Sequence, residues 1–238
     1  MRGTAIRLIN GHPHVIGSIG SAAALKSATA TTAGESCDIV EIRLDLLAAE
    51  GAAVDARAWH HLTELPLLFT ARRIEEGGAL ALDAAHRADL LREALNDAAF
   101  IDVEWASMGE MRELLDEAEA LGVRWIASFH DFTHLPAIDL LEDAAHKAEE
   151  AGAAAFKVAA TLRDAADLAR LVTFQQTDLN LAVATMGMGT LAAASRILCA
   201  QSGSVLNYGY LGDTPTAPGQ WEAGWLKRVI AGLEPLRP

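Results

Sequence analysis

The residue of this chain with the most reactive potential is a lysine inside an apolar run, Gly152-Ala-Ala-Ala-Phe-Lys157-Val-Ala-Ala-Thr161. The run is apolar at nearly every position, too short for a helix and opened by glycine, so it reads as a strand. An ammonium buried in a dry strand is costly, and such a site favours the neutral amine. A neutral amine can attack a ketone or aldehyde and form an imine. The same lysine could equally emerge at a strand end, its stem packed and its head in water.

Other polar residues recur at comparable places along the chain. Glu41 and Arg43 lie in one apolar run with Asp45 just beyond, and Arg72, Arg73, Glu75 and Glu76 precede Gly77-Gly78 after another. Asp102 and Glu104 share a third, Ser128-Phe-His130-Asp131-Phe132 ends a fourth, and Thr185-Met186-Gly-Met188-Gly189 leads to Ser195-Arg196. Tyr208 precedes a segment that ends in Thr216-Ala-Pro-Gly-Gln220. Taken singly, each has an ordinary structural role. Glu41 and Arg43 could be an ion pair, His130 a core histidine, Met186 and Met188 packing, and Arg196 a helix-face partner. Together, an amine, an imidazole, carboxylates and several arginines are the parts of an imine enzyme for a polyhydroxylated, anionic substrate.

The elements that must position them follow a rhythm. Apolar runs near residues 14–19, 38–44, 67–71, 100–104, 124–129, 153–158, 181–185 and 204–208 read as eight strands. Helical patterns follow each, near 21–32, 55–65, 83–96, 107–121, 137–151, 162–173, 190–201 and 221–233. The period is that of a βα unit, and strands this uniformly apolar are buried on both faces, as parallel strands are. Eight such units predict a (β/α)8 TIM barrel in one domain, residues 1–238, with its polar residues at the C-terminal strand ends. Gly17-Ser-Ile-Gly20 is too poor a match to a dinucleotide turn to favour a doubly wound sheet. The runs 4–9 and 14–19, joined by Asn10-Gly11-His12-Pro13, predict a short N-terminal β-hairpin.

A net charge of −13 argues against nucleic acid and anionic membranes as partners. Cys37 and Cys199 sit in apolar surroundings and read as small core residues. No apolar run approaches a membrane span, and the N-terminus lacks a signal-peptide hydrophobic segment, so a soluble cytoplasmic protein is expected. No ligand cluster calls for a metal or redox cofactor.

In order along the chain, Glu41-Ile-Arg43 with Asp45, Phe69-Thr-Ala-Arg72 with Glu76-Gly-Gly78, Asp102-Val-Glu104, Ser128-Phe-His130-Asp131-Phe132, Phe156-Lys157, Met186-Gly-Met188 with Ser195-Arg196, and Thr216-Ala-Pro-Gly-Gln220 resemble the motifs of type I 3-dehydroquinate dehydratase. That family is the Schiff-base lyase of the shikimate pathway, which leads to chorismate and the aromatic amino acids. The resemblance runs from about Val15 to Trp221. It implies a (β/α)8 barrel, no cofactor, 3-dehydroquinate as substrate and a homodimer. It implies Lys157 as the imine lysine, His130 as general acid/base and Glu76 as the carboxylate that orients the histidine. Arg196, assisted by Gln220, would take the substrate carboxylate. Glu41, Arg43 and Arg72 would hold ring hydroxyls, and Met186 and Met188 would pack against the ring. Thr216 stands where serine is usual, and Tyr208 where phenylalanine is common. Two rivals remain: a class I aldolase acting on a sugar phosphate, with Gly187-Met-Gly189 as part of its phosphate cradle, and a non-catalytic binding protein on the same barrel. The segment Gly209–Gly219 is long for a βα loop and is expected to act as a lid.

Overall fold

The computed structural model describes residues 6–234. In chain order the first elements are β1 (His14–Ile19), α1 (Ala22–Ser27), α2 (Ala30–Ser36), β2 (Ile39–Arg43), α3 (Leu44–Ala49) and α4 (Ala56–Trp59). They are followed by β3 (Leu67–Thr70), α5 (Ala84–Ala94), β4 (Phe100–Glu104), α6 (Arg112–Ala120), β5 (Arg124–Asp131) and α7 (Ile138–Glu150). The last are β6 (Ala155–Thr161), α8 (Ala165–Gln175), β7 (Ala182–Met188), α9 (Ala192–Gln201), β8 (Leu206–Tyr210), β9 (Trp221–Glu222) and α10 (Ala223–Ala231).

The strands form one curled, parallel, nine-stranded sheet in the order β7-β6-β5-β4-β3-β2-β1-β8-β9. Its two faces bury different clusters, which is why the runs read as continuously apolar instead of alternating. One cluster takes Ile16, Ile39, Leu68, Phe100, Ile126, Ala155, Ala184 and Leu206, a contribution from each of β1 to β8. The alternate residues, among them Val40, Ile42, Phe69, Val103, Phe156 and Val183, pack against helix residues such as Leu47, Trp59, Leu91, Leu114, Leu141 and Leu171. β7 also meets the residues that lead into β8. The Val205 N–H donates to the Val183 carbonyl at 3.0 Å, and the Thr185 N–H donates to Ser204 Oγ at 3.1 Å.

The expected N-terminal hairpin is not present among the described residues. Residues 6–9 carry no strand, and residues 4 and 5 of the expected run lie outside the described range. The physical reason is that β1 has no free edge: β2 occupies one side and β8 the other, both parallel. Ile6 and Leu8 instead pack on the inner cluster, and Arg124 Nη2 donates to the Ile6 carbonyl.

The helix expected over 21–32 is two helices. The extended backbone of Ala28 ends α1, and Thr29 caps α2 through a reciprocal pair with Thr32, 3.1 and 3.2 Å. The pattern over 55–65 becomes α4 and a 3-10 turn, His60–Leu62. Neither α3 nor the two-residue β9 is visible in the sequence pattern.

β9 matters for the site because it seats the residue after Gln220. It pairs with β8 through Gly209↔Trp221. A Cβ on Gly209 would lie 2.6 Å from Ala223 Cα and 2.9 Å from the Trp221 carbonyl oxygen, so only glycine allows this approach. Gly209→Ala should therefore destabilise the fold by about 1–3 kcal/mol in urea unfolding. A variant as stable as the parent would mean that β9 does not seat on β8.

Candidate active site

The inner face of the sheet carries the reactive lysine. Lys157 pairs in register with Ser128 of β5, which pairs with Glu104 of β4. It is 3% exposed, and its Nζ lies 2.7 Å from Asp102 Oδ2 and 4.6 Å from the centroid of the Tyr208 ring. Burial lowers its affinity for a proton; Asp102 opposes this and Arg72 reinforces it. Burial works against the charge of Asp102, yet Arg72 and Lys157 together hold its carboxyl well below the usual carboxylate range.

Asp102 is shared. Arg72 Nη1 lies 3.0 Å from Asp102 Oδ1, 3.1 Å from Glu104 Oε1 and 2.6 Å from Ser128 Oγ, and Ser128 Oγ donates to Asp102 Oδ1 at 2.6 Å. Arg72 is therefore anchored in a buried ion network besides lining the cavity. The neighbouring Arg73 turns outward and pairs with Glu75 at 2.9 Å, so Arg72 is the inward arginine.

Glu76 reaches His130 from a 3-10 turn, Ile74–Glu76. Gly77 ends the turn at φ 89°, where a side chain would be strained and would meet the Phe132 ring. Glu76 Oε2 accepts from the His130 backbone N–H at 3.0 Å and lies 2.9 Å from Nδ1. Burial, with Arg72 and Lys157 nearby, holds the imidazole well below its ordinary pKa, so it is neutral. Burial also pushes the Glu76 carboxyl up to about 7, against the pull of Arg72. As a carboxylate, Glu76 fixes the proton on Nδ1 and leaves Nε2 as the basic nitrogen. As an acid it can donate to Nδ1 and reverse that tautomer.

The opposite wall holds hydroxyl-ligated and paired groups. Glu41 accepts from Ser18 Oγ and from Thr70 Oγ1, the latter at 2.7 Å. Arg43 pairs with Asp45 rather than Glu41, through Nε–Oδ1 at 2.9 Å and Nη2–Oδ2 at 2.8 Å. Its other contacts, 3.4 Å to the Gly77 carbonyl and 3.5 Å to the Thr216 carbonyl, tie two loops together. Arg196 donates to the carbonyls of Gly219 and Tyr208 at 3.1 and 2.8 Å, and among the described residues no carboxylate pairs with it. Burial pushes its guanidinium down to about 10, so a ligand anion here would meet a cation with no counter-charge of its own. Gln220 Oε1 accepts from Thr216 N, Thr216 Oγ1 and Ala217 N at 2.8, 2.8 and 3.1 Å, which leaves the amide nitrogen to offer the cavity.

These groups surround one cavity of about 210 Å³, lined by Lys157, His130, Glu76, Glu41, Arg43, Arg72, Arg196, Thr216, Gln220, Met186 and Met188. Every expected site residue is therefore brought together. Sequence reasoning gave no role to Ser18, Thr70 or Ser128; a hydroxyl inside an apolar strand was their available signal. Tyr208 and Phe132 also line the cavity. The Gly187 N–H is already held by Ser195 Oγ at 2.9 Å, which removes a donor from the phosphate cradle that the rival aldolase reading would need. Among the described residues no three His, Cys, Asp or Glu side chains form a metal-binding group, and no helix is long and apolar enough to cross a membrane.

Known proteins resemble this chain in sequence and fold. A family model described as type I 3-dehydroquinase matches residues 19–234. A 3-dehydroquinate dehydratase of Methanothrix thermoacetophila is 32% identical over 224 residues, covering 93% of this chain and 92% of its own. One from Halobacterium salinarum is 34% identical over 215 residues, covering 86% and 92%. The crystal structure of the 3-dehydroquinate dehydratase from Geobacillus kaustophilus superposes with a TM-score of 0.82 at 25% identity, covering 96% of this chain and 95% of that one.

The raised Glu76 pKa has a signature in stability. Its folded value, about 7, exceeds the ordinary value near 4.3, so the stability it contributes is present below about pH 4.3 and lost as pH rises toward 7. Urea unfolding at a series of pH values should show the parent losing stability relative to Glu76→Gln across that window, with a constant difference above it. A difference that stays flat or grows in the parent's favour would mean that burial does not dominate at Glu76.

Proposed function

We infer the function of this chain from its family: it belongs to the type I 3-dehydroquinases. We propose that it is a hydro-lyase that converts 3-dehydroquinate to 3-dehydroshikimate and water through an imine on Lys157. The observation that carries this reading is a buried amine of lowered proton affinity facing the same cavity as a neutral imidazole oriented by a carboxylate.

The steps follow from those groups. The Lys157 amine adds to the C3 carbonyl carbon; the carbonyl oxygen takes up protons and leaves as water, giving a protonated imine. The imine draws electrons from C2, and His130 Nε2 removes the C2 proton to form an enamine. The enamine electrons expel the C1 hydroxyl, protonated by His130, as a second water. Hydrolysis of the imine takes back one water and frees the amine, so one water is released overall. A single base serving both transfers works on one face, which makes the elimination syn. Arg196 and the Gln220 amide hold the carboxylate, Glu41, Arg43 and Arg72 meet ring hydroxyls, and Met186 and Met188 pack on the ring.

We read the curled sheet as a closed (β/α)8 barrel in a single domain, supported by the inner cluster drawn from β1 to β8 and by the Val205–Val183 bond. The expected homodimer rests on the family resemblance, and the expected cytoplasmic location on the sequence pattern alone. The loop before Gln220 is proposed to open for substrate entry by releasing Arg43 from the Thr216 carbonyl and Arg196 from the Gly219 carbonyl.

The test is a dehydration assay on purified variants. Lys157→Ala should lose turnover; full activity would remove the imine from the mechanism. His130→Ala should still bind 3-dehydroquinate while its turnover falls about 10²–10⁴-fold, and a near-normal rate would point to a different base. Arg196→Ala should weaken substrate capture by about 1.5–3 kcal/mol, with poor rescue by Arg196→Lys because an ammonium lacks the planar fork. Unchanged KM and kcat would take Arg196 out of substrate binding.

A further inference from the structure

One buried cation has no part in the reaction just proposed. Arg87, on α5, is 3% exposed. Its Nη1 binds Glu104 Oε2, its Nη2 donates to Ser107 Oγ at 2.9 Å, and its buried Nε has no hydrogen-bond partner among the described residues. Through its other oxygen Glu104 holds Arg72 at 3.1 Å; Arg72 is 3.0 Å from Asp102, and Asp102 is 2.7 Å from Lys157. A chain of alternating charges thus runs from α5 to the reactive lysine.

The charges along that chain balance before Lys157 is counted. Asp102 and Glu104 are matched by Arg72 and Arg87, so a proton on Lys157 adds a positive charge that this chain of pairs does not match, with Glu41, held only by hydroxyls, as the remaining nearby carboxylate. Without Arg87, Glu104 would draw on Arg72, and Asp102 would be left to neutralise an ammonium at Lys157. We propose that Arg87 is a positioning residue for the reaction: by neutralising Glu104 it reserves Arg72 for Asp102, and so makes Lys157 easier to deprotonate. The inference rests on the reading of Lys157 as the imine-forming residue.

The other groups facing Lys157 are Glu41 and Arg43 of β2, His130 of β5, Glu76 of the 3-10 turn, Arg196 of α9 and Tyr208 of β8. None of them touches Arg87. Around Arg87 itself, Glu75, Glu110 and Glu113 line an open cleft, and all three are exposed, where salt screens them. Arg73 and Arg92 also line that cleft but are already paired, with Glu75 and with Asp89 and Glu117, and the exposed Asp83 there faces His86. The Arg87–Glu104 pair is therefore the local control on the chain.

The experiment titrates the Lys157 amine in the free protein, from its rate of acylation by a small anhydride against pH, read by peptide mass spectrometry. Glu104 and Lys157 stand two strands apart in register, about 10 Å on ordinary strand spacing, where one charge moves a titration by about one pH unit. Arg87→Leu should move the profile up by about that much. Glu104→Gln should move it down, and the double variant should return close to the parent. Arg87→Lys should leave it nearly in place. A merely structural Arg87 would lower stability without moving the profile, and that result overturns the inference. If Arg87→Leu does not fold, Glu104→Gln decides, because an unmoved or upward-moved profile there is equally fatal. Borohydride reduction of the parent with 3-dehydroquinate is run alongside. Absence of a Lys157 adduct removes the imine reading itself; an adduct with an unmoved Arg87→Leu profile removes only the role of Arg87.

Discussion

Asp102 stands between two cations, and the rest of the site depends on which of them it serves. A carboxylate 2.7 Å from a buried lysine would ordinarily stabilise the ammonium and leave the amine inert. Here the same carboxylate also lies 3.0 Å from Arg72 and accepts from Ser128 Oγ. Because the guanidinium cannot give up its proton and the ammonium can, Asp102 and Arg72 stay charged, and it is the proton affinity of Lys157 that falls. The same arginine lowers the proton affinity of His130, so one fixed charge favours both the neutral amine and the neutral imidazole.

This electrostatic arrangement needs a backbone that delivers its members from separate strands to one depth. Parallel pairing does so. Glu104, Ser128 and Lys157 are register partners across three neighbouring strands, and the period of two turns Asp102 toward the same inner face as Glu104. The loops then complete the cavity and are held by groups that also serve it. Arg43, fixed by Asp45, reaches the carbonyls of Gly77 and Thr216, and Arg196 reaches that of Gly219. Binding groups and loop latches are thus partly the same side chains, which couples cavity opening to ligand capture.

Much of this was legible from the chain because strand ends carry its polar residues. Lys157, His130, Glu41 and Arg72 all interrupt or follow apolar runs, and eight such runs at βα spacing fix the architecture within a few residues. What stayed illegible is non-local. The alternation that separates inner from outer residues is hidden when both faces are apolar, so the direction of Val40 against Glu41 could not be read from hydropathy. Ser18 and Thr70 have meaning only through Glu41, and Arg87 only through Glu104, partners that sequence spacing does not reveal. The expected hairpin is absent among the described residues for a related reason. Local turn chemistry at Asn10-Gly11 favours it, but both edges of β1 are already taken.

The protonation state of Lys157 in the free protein is the quantity on which the account turns. It is measured most directly by the pH titration of its side-chain carbon signal in protein labelled with carbon-13 lysine, assigned by comparison with Lys157→Ala. The account predicts a midpoint clearly below the ordinary lysine value of about 10.4, distinct from the exposed lysines of the same chain. A midpoint at or above that value would show that Asp102 serves the lysine and not Arg72, and would contradict the account at its base.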